Sequence, residues 1–148
     1  MKISCVAIDD EPLALELLTK FIGQTPFLKL EGRFPNAIEA LSYINQHEVN
    51  LIFMDIQMPD LSGMELARIL DGKKNSSITR VIFCTAYHQF ALEGYKVEAL
   101  DYLLKPYSYE DFLTAATKAY QYFEKVGTLF QASLASSSST PSDYIFLK

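Results

Sequence analysis

The chain has 148 residues, 49% of them hydrophobic, and a formal net charge of −5. That is enough apolar material for one domain with a sizeable core, and it leaves this segment without the basic surface that nucleic-acid phosphates require. No apolar run is long enough to cross a bilayer, and Met1-Lys2 leads into a strand-like segment without signal-peptide architecture, so a cytoplasmic protein is expected.

The first strand-like run is "ISCVAID", residues 3–9, and the acids Asp9, Asp10 and Glu11 close it. Pro12 suits a first helical turn, and the helix it opens carries Leu13, Leu17, Leu18, Phe21 and Ile22 before stopping at Gly23. A second strand is expected at "LKLEGRF", residues 28–34, followed by a second helix that Asn36 and Glu39 open with capping-box spacing. The third strand, "LIFMD" at residues 51–55, ends on Asp55, and Met58-Pro59 then prevents its continuation. After a third helix come the strand "RVIFCTA" at 80–86, a fourth helix and the strand "DYLLK" at 101–105. Ser108 and Asp111 open a fifth helix with the same capping spacing. Cys5 and Cys84 lie inside strand runs and read as small buried hydrophobes.

Strands alternating with helices predict an α/β fold, a five-stranded parallel sheet wound in both directions from its middle, in the order 2-1-3-4-5. In such a sheet a ligand site lies at the carboxyl ends of the strands, where the winding reverses. Asp9, Asp10 and Asp55 fall there. Singly, each is also an ordinary turn or helix-start acid. Two carboxylates about 5 Å apart repel by roughly 3 kcal/mol at an effective dielectric near 20, and a divalent cation would relieve this. An all-oxygen donor set points to Mg²⁺, while His47 and His88 stand apart and suggest no zinc site. A carboxylate beside Mg²⁺ can serve as the nucleophile of phosphoryl transfer. Thr85 and Lys105, at the ends of the fourth and fifth strands, would supply a hydroxyl and a cation.

"AIDDEP", "FMDIQMPDLSGME", "CTAY" and "DYLLKP" together resemble the receiver domain of bacterial two-component response regulators, over about residues 1–126. The resemblance implies a flavodoxin-like receiver fold in which Asp55 accepts a phosphoryl group from a sensor histidine kinase. It implies Mg²⁺ held by Asp10, Asp55 and the Gln57 carbonyl, with Asp9 acting mainly through water. Lys105 would pair with the phosphoryl group, its bond to Pro106 would be cis, and Thr85 would move to bond a phosphoryl oxygen. Tyr102 would be the switch aromatic, where packing alone suggests a half-buried edge-strand ring. Tyr87 would border the pocket. Such a domain is a signalling module rather than an enzyme, with only self-phosphorylation and slow self-dephosphorylation. A phosphorylation-dependent homodimer through the fourth helix, fifth strand and fifth helix is expected, with Phe90, Tyr95, Val97 and Tyr102 in its surface.

"TAYHQFALEGYKVEALDYLLKPYSYEDF" resembles more narrowly the receivers joined to LytTR-type DNA-binding domains. The expected division is a receiver at 1–126, a Ser-rich linker at 127–142, and at 143–148 "DYIFLK", the start of a truncated DNA-binding domain through which DNA would be bound. Two other classes are less well served. A haloacid-dehalogenase-type phosphatase wants an acid two residues after its nucleophile, where this chain has Gln57, and a flavodoxin-like carrier wants a phosphate loop where it has "DDEPLA". One point stays open at the end of the fifth helix. An apolar stripe of Phe112, Ala116, Ala119, Phe123, Val126 and Phe130 runs past Gly127, which is either the helix stop or a residue the helix passes through.

Overall fold

The structure, a computed structural model, describes residues 1–59, 61–71, 79–86 and 99–135. In chain order they form β1 (Ile3–Ile8), α1 (Pro12–Gly23), β2 (Leu28–Phe34), α2 (Ala37–Gln46), β3 (Leu51–Met54), α3 (Gly63–Asp71), β4 (Arg80–Thr85), β5 (Ala99–Leu104) and α4 (Tyr109–Ala135). The strands pair in parallel in the order β2-β1-β3-β4-β5, the expected doubly wound sheet. The helix expected between β4 and β5 lies outside the described residues, as do Tyr87, Phe90, Tyr95, Val97 and residues 136–148.

Successive strand residues point to opposite faces, so a sheet covered on both sides needs apolar residues at every position. Leu51 and Phe53 pack with Cys5, Ala7, Ile82 and Cys84 beneath α1 and α4, while Ile52 and Met54 pack with Val6, Ile8 and Phe83 against α2 and α3. The edge strand β2 departs from simple alternation. Its register skips from Cys5↔Leu30 to Val6↔Gly32, leaving Glu31 as an extra residue. Leu28 therefore packs in the α1 layer, whereas Phe34, of the same parity, packs in the α2 layer. Gly32 lies under the Phe34 ring, where an added Cβ would stand 2.9 Å from ring carbons.

Helix α1 runs between Pro12 and Gly23 as read, but it buries Leu15, Leu18, Phe21 and Ile22. Leu13 is 81% exposed and Leu17 also faces outward. Asn36 caps α2, its Oδ1 accepting the Glu39 N–H at 2.8 Å. At the start of α4 the Ser108 and Asp111 side chains each accept the other's backbone N–H, at 3.1 and 3.2 Å. Ser62 and Glu65 form a matching box before α3, at 3.1 and 3.0 Å, and the S-x-x-E spacing in the sequence is its signal. Helix α4 continues through Gly127 to Ala135. Phe112, Ala115, Ala116, Ala119 and Phe123 are buried and Val126 is half-buried, and the side chain of Phe130 lies outside the described part of the chain. Asp101 of β5 pairs with Lys118 at 3.2 Å, and the Arg80 guanidinium sits 4.5 Å from the centre of the Tyr122 ring, so α4 is tied to both β4 and β5.

Candidate functional site

Parallel pairing brings the ends of β1, β3, β4 and β5 to one side of the molecule, and the polar residues that follow each strand gather there. Asp9 and Asp55 are held by the ladder itself: the Asp9 N–H donates to the Phe34 carbonyl at 3.1 Å, and the Asp55 N–H to the Ile8 carbonyl at 3.2 Å. Lys105 is placed likewise, its N–H donating to the Thr85 carbonyl at 2.7 Å, and its peptide bond to Pro106 is cis. The Lys105 ammonium then donates to Asp9 Oδ2 at 2.8 Å and to Asp55 Oδ2 at 3.1 Å, with Glu11 Oε1 at 3.6 Å. The other Asp55 oxygen accepts the Gln57 N–H at 3.3 Å.

Asp9, Asp55 and Thr85 are buried, and this burial governs the electrostatics. Loss of solvent pushes the Asp55 carboxyl above its ordinary value; the charge and hydrogen bond of Lys105 pull it back, Asp9 adds a further push upward, and the Gln57 N–H pulls down. Burial alone would lower the Lys105 ammonium, but its bond to Asp9 and the charges of Asp55 and Asp9 carry it above its ordinary value. The site thus keeps a firmly protonated cation against a carboxyl that is costly to ionise. Burial pushes the Cys84 thiol up to about 12 and, with the Glu31 charge, Cys5 also to about 12, which fits two packing residues rather than reactive ones.

One contributor acts only through its backbone. Gly63, the first residue of α3, donates to the Ile56 carbonyl at 2.9 Å, and a Cβ there would collide with the Asp55 carbonyl oxygen and stand 3.0 Å from Ile56 Cα. Only a glycine lets the helix start this close beneath the Asp55 turn. The "DLSGME" stretch contains the signal, but the need for glycine is visible only once α3 is docked.

Of the residues named from sequence, Asp9, Asp55, Lys105 and Thr85 come together at the strand ends. Asp10 is exposed and, with Gln57, lines an open cleft of about 650 Å³ bounded also by Met58, Pro59, Met64 and Arg68. Glu11, the last of the three acids that close the first strand run, is the third carboxylate at the ammonium among the described residues. Tyr102 is half-buried on the edge strand β5, its ring stacked on Phe83 with centroids 5.5 Å apart and its hydroxyl buried.

Asp9, Glu11 and Asp55 each offer an oxygen within 4.8 Å of the others. Lys105 already offsets their repulsion, so repulsion by itself no longer argues for a cation. The donor chemistry does: carboxylates with no Cys or His among the described residues of the group suit a hard ion such as Mg²⁺. Among the described residues no helix is long and apolar enough to cross a membrane.

The sequence profile of the response regulator receiver domain matches residues 5–117. The chain is 42% identical over 104 residues to a response regulatory protein of Vibrio cholerae, covering 70% of this chain and 43% of that one. It is 41% identical over 113 residues to the positive alginate biosynthesis regulatory protein of Pseudomonas aeruginosa, covering 76% and 45%. It thus spans less than half the length of these relatives. The response regulatory domain of protein mrkE from Klebsiella pneumoniae superposes with a TM-score of 0.77 at 28% identity, over 83% of this chain and 99% of that one. The chemotaxis response regulator CheY4 of Vibrio cholerae, at 20% identity and a TM-score of 0.72 over 80% and 99%, shares the fold.

Proposed function

The chain belongs to the response regulator receiver domain family, and on that premise we propose that it is a phosphorylation switch whose Asp55 accepts a phosphoryl group from a sensor histidine kinase. The observation that carries this reading is the Lys105 ammonium lying between buried Asp9 and Asp55, at 2.8 and 3.1 Å. A nucleophilic carboxylate must be ionised, and burial opposes that; the fixed cation offsets part of this cost while leaving the carboxylate poorly solvated and reactive.

In the transfer an Asp55 oxygen forms a bond to phosphorus as the phosphorus–nitrogen bond of the donor histidine breaks, its electron pair remaining on the imidazole. The product is an acyl phosphate. Lys105 would follow the charge from the carboxylate to the phosphoryl oxygens, and Thr85, buried at the end of the neighbouring strand, would move to bond one of them. Asp10 and Asp55, with the Gln57 carbonyl, would hold Mg²⁺, and Asp9 would act mainly through water, which leaves Glu11, the third carboxylate of the group, to Lys105. When bound, the ion supplies positive charge that neutralises the transferring group. Movement of Thr85 would be followed by Tyr102, which shares a stacked wall with Phe83, two residues before Thr85 on β4.

The output belongs to a longer protein. The "TAYHQF…KPYSYEDF" resemblance supports a LytTR-type transcription regulator, with the receiver at 1–126, a linker at 127–142 and a DNA-binding domain beginning at 143–148, and similarity to an alginate biosynthesis regulatory protein fits a regulatory role. The protein would act in the cytoplasm, where its kinase presents the phosphohistidine. The deciding experiment is incubation with acetyl phosphate and Mg²⁺ followed by intact-mass analysis. The mass should rise by one phosphoryl group, and the rise should be absent in Asp55→Asn; label persisting in that variant would refute the assignment.

A further inference from the structure

Glu11 stands immediately before α1, and its carbonyl accepts the first helical N–H, from Leu15 at 2.9 Å, yet its side chain caps none of the free N–H groups of the helix. The carboxylate turns back into the site instead, to 3.6 Å from the Lys105 ammonium, while the Glu11 N–H is held by Asp9 Oδ1 at 3.0 Å. Among the described residues Lys105 therefore has three carboxylate neighbours of unequal standing. The Asp9 and Asp55 side chains are 2% and 10% exposed, and Glu11 is 71% exposed. The first two are anchored by the strand ladder; the third reaches over from solvent.

Resting on the phosphoacceptor reading above, we infer that Glu11 is a positioning residue that holds Lys105 in the resting site and opposes a phosphoryl group arriving beside it. A phosphoryl group on Asp55 brings nearly two negative charges to the ammonium that Glu11 also attends. Asp9 and Asp55 cannot withdraw without breaking backbone hydrogen bonds. Glu11 can, by rotating into water, so it is the group whose displacement accompanies phosphorylation. Because it is exposed, its effect is screened and modest, and it sets how readily the switch is charged rather than whether it works.

The test compares wild type, Glu11→Gln and Glu11→Asp for labelling of Asp55 by acetyl phosphate at saturating Mg²⁺, between low salt and about 1 M salt. Glu11→Gln should label roughly two- to fivefold faster at low salt, with the advantage fading as salt screens the charge, and Glu11→Asp, one methylene shorter, should fall between. The Mg²⁺ concentration that raises the melting temperature half-way should be the same in all three. Equal rates at low salt, or an advantage that salt leaves unchanged, would overturn the inference. A weaker Mg²⁺ response in Glu11→Gln would also overturn it, by making Glu11 a cation ligand. A wild type that takes no label refutes the phosphoacceptor reading itself, an outcome distinct from a labelled protein indifferent to Glu11.

Discussion

At Asp55 burial and neighbouring charge work against each other, and burial prevails. A carboxyl raised above its unfolded value contributes its full stability below the ordinary carboxylate range, and loses it as pH rises through the raised folded value. At neutral pH the charged Asp55 is therefore a cost to the fold. Asp55→Asn removes that charge while Lys105 keeps Asp9 at 2.8 Å. Without divalent cations the variant should melt higher at pH 7, and the difference should close as pH falls through the carboxylate range. Thermal melts against pH decide this, and a lower melting temperature for Asp55→Asn at pH 7 would contradict it. Gly63 makes the opposite case, a residue that matters through what it lacks. Gly63→Ala puts a methyl into the Asp55 carbonyl and the Ile56 backbone, so α3 must shift, at a cost of about 1–3 kcal/mol. Urea denaturation should show that loss together with slower labelling of Asp55, and an unchanged midpoint would mean the helix start accommodates the methyl freely.

Among the elements, α3 and α4 behave in contrasting ways at their ends. The start of α3 is closed by the Ser62–Glu65 box, which holds the Glu65 carboxyl below its ordinary range through the Ser62 N–H and hydroxyl. The helix that supports the Asp55 turn is thus anchored at its first turn. Helix α4, by contrast, does not stop at its glycine: Gly127 has nothing within 4 Å of where a Cβ would be, and the helix passes through it to Ala135. Gly127→Ala should therefore fit and add about 1 kcal/mol of helix stability, whereas Gly127→Pro should break the helix there. In the longer DNA-binding regulator proposed above, the first should preserve, and the second abolish, the dependence of DNA binding on phosphorylation. Hydrogen exchange provides the independent check: amides from Thr128 to Leu134 exchanging at random-coil rates in wild type would mean that no rigid connection leads on from the receiver to the proposed output domain.

For the whole molecule the question is how a change at one end of the sheet leaves it. Residues 99–104 of β5 form the sheet edge, with Tyr102 half-buried and Asp101 paired to Lys118 of α4 at 3.2 Å, so strand and helix share one outer surface. This is the surface we propose for a two-fold dimer of the phosphorylated protein, together with the segment between β4 and β5. Beryllium fluoride with Mg²⁺ should double the mass measured by light scattering at high concentration. A mass that stays that of the monomer would argue against dimerisation as the output of this switch.

The number and order of the strands, the start of α1 at Pro12, the caps at Asn36 and Ser108, and the polar residues at the strand ends were all readable from the sequence. They rest on short-range patterns: apolar runs, helix-start residues and turn formers, each acting over a few positions. Four features were decided only by the tertiary structure. The bulge at Glu31 turns Phe34 to the α2 face, Leu15 rather than Leu13 faces the core, α3 starts against the Asp55 backbone at Gly63, and Glu11 rather than Asp10 turns to Lys105. Each depends on the meeting of segments far apart in the chain. Residues 9, 55 and 105 share a site because parallel strands align their ends, and which neighbouring acid reaches the ammonium depends on the direction of the chain as it leaves β1, which no local spacing encodes.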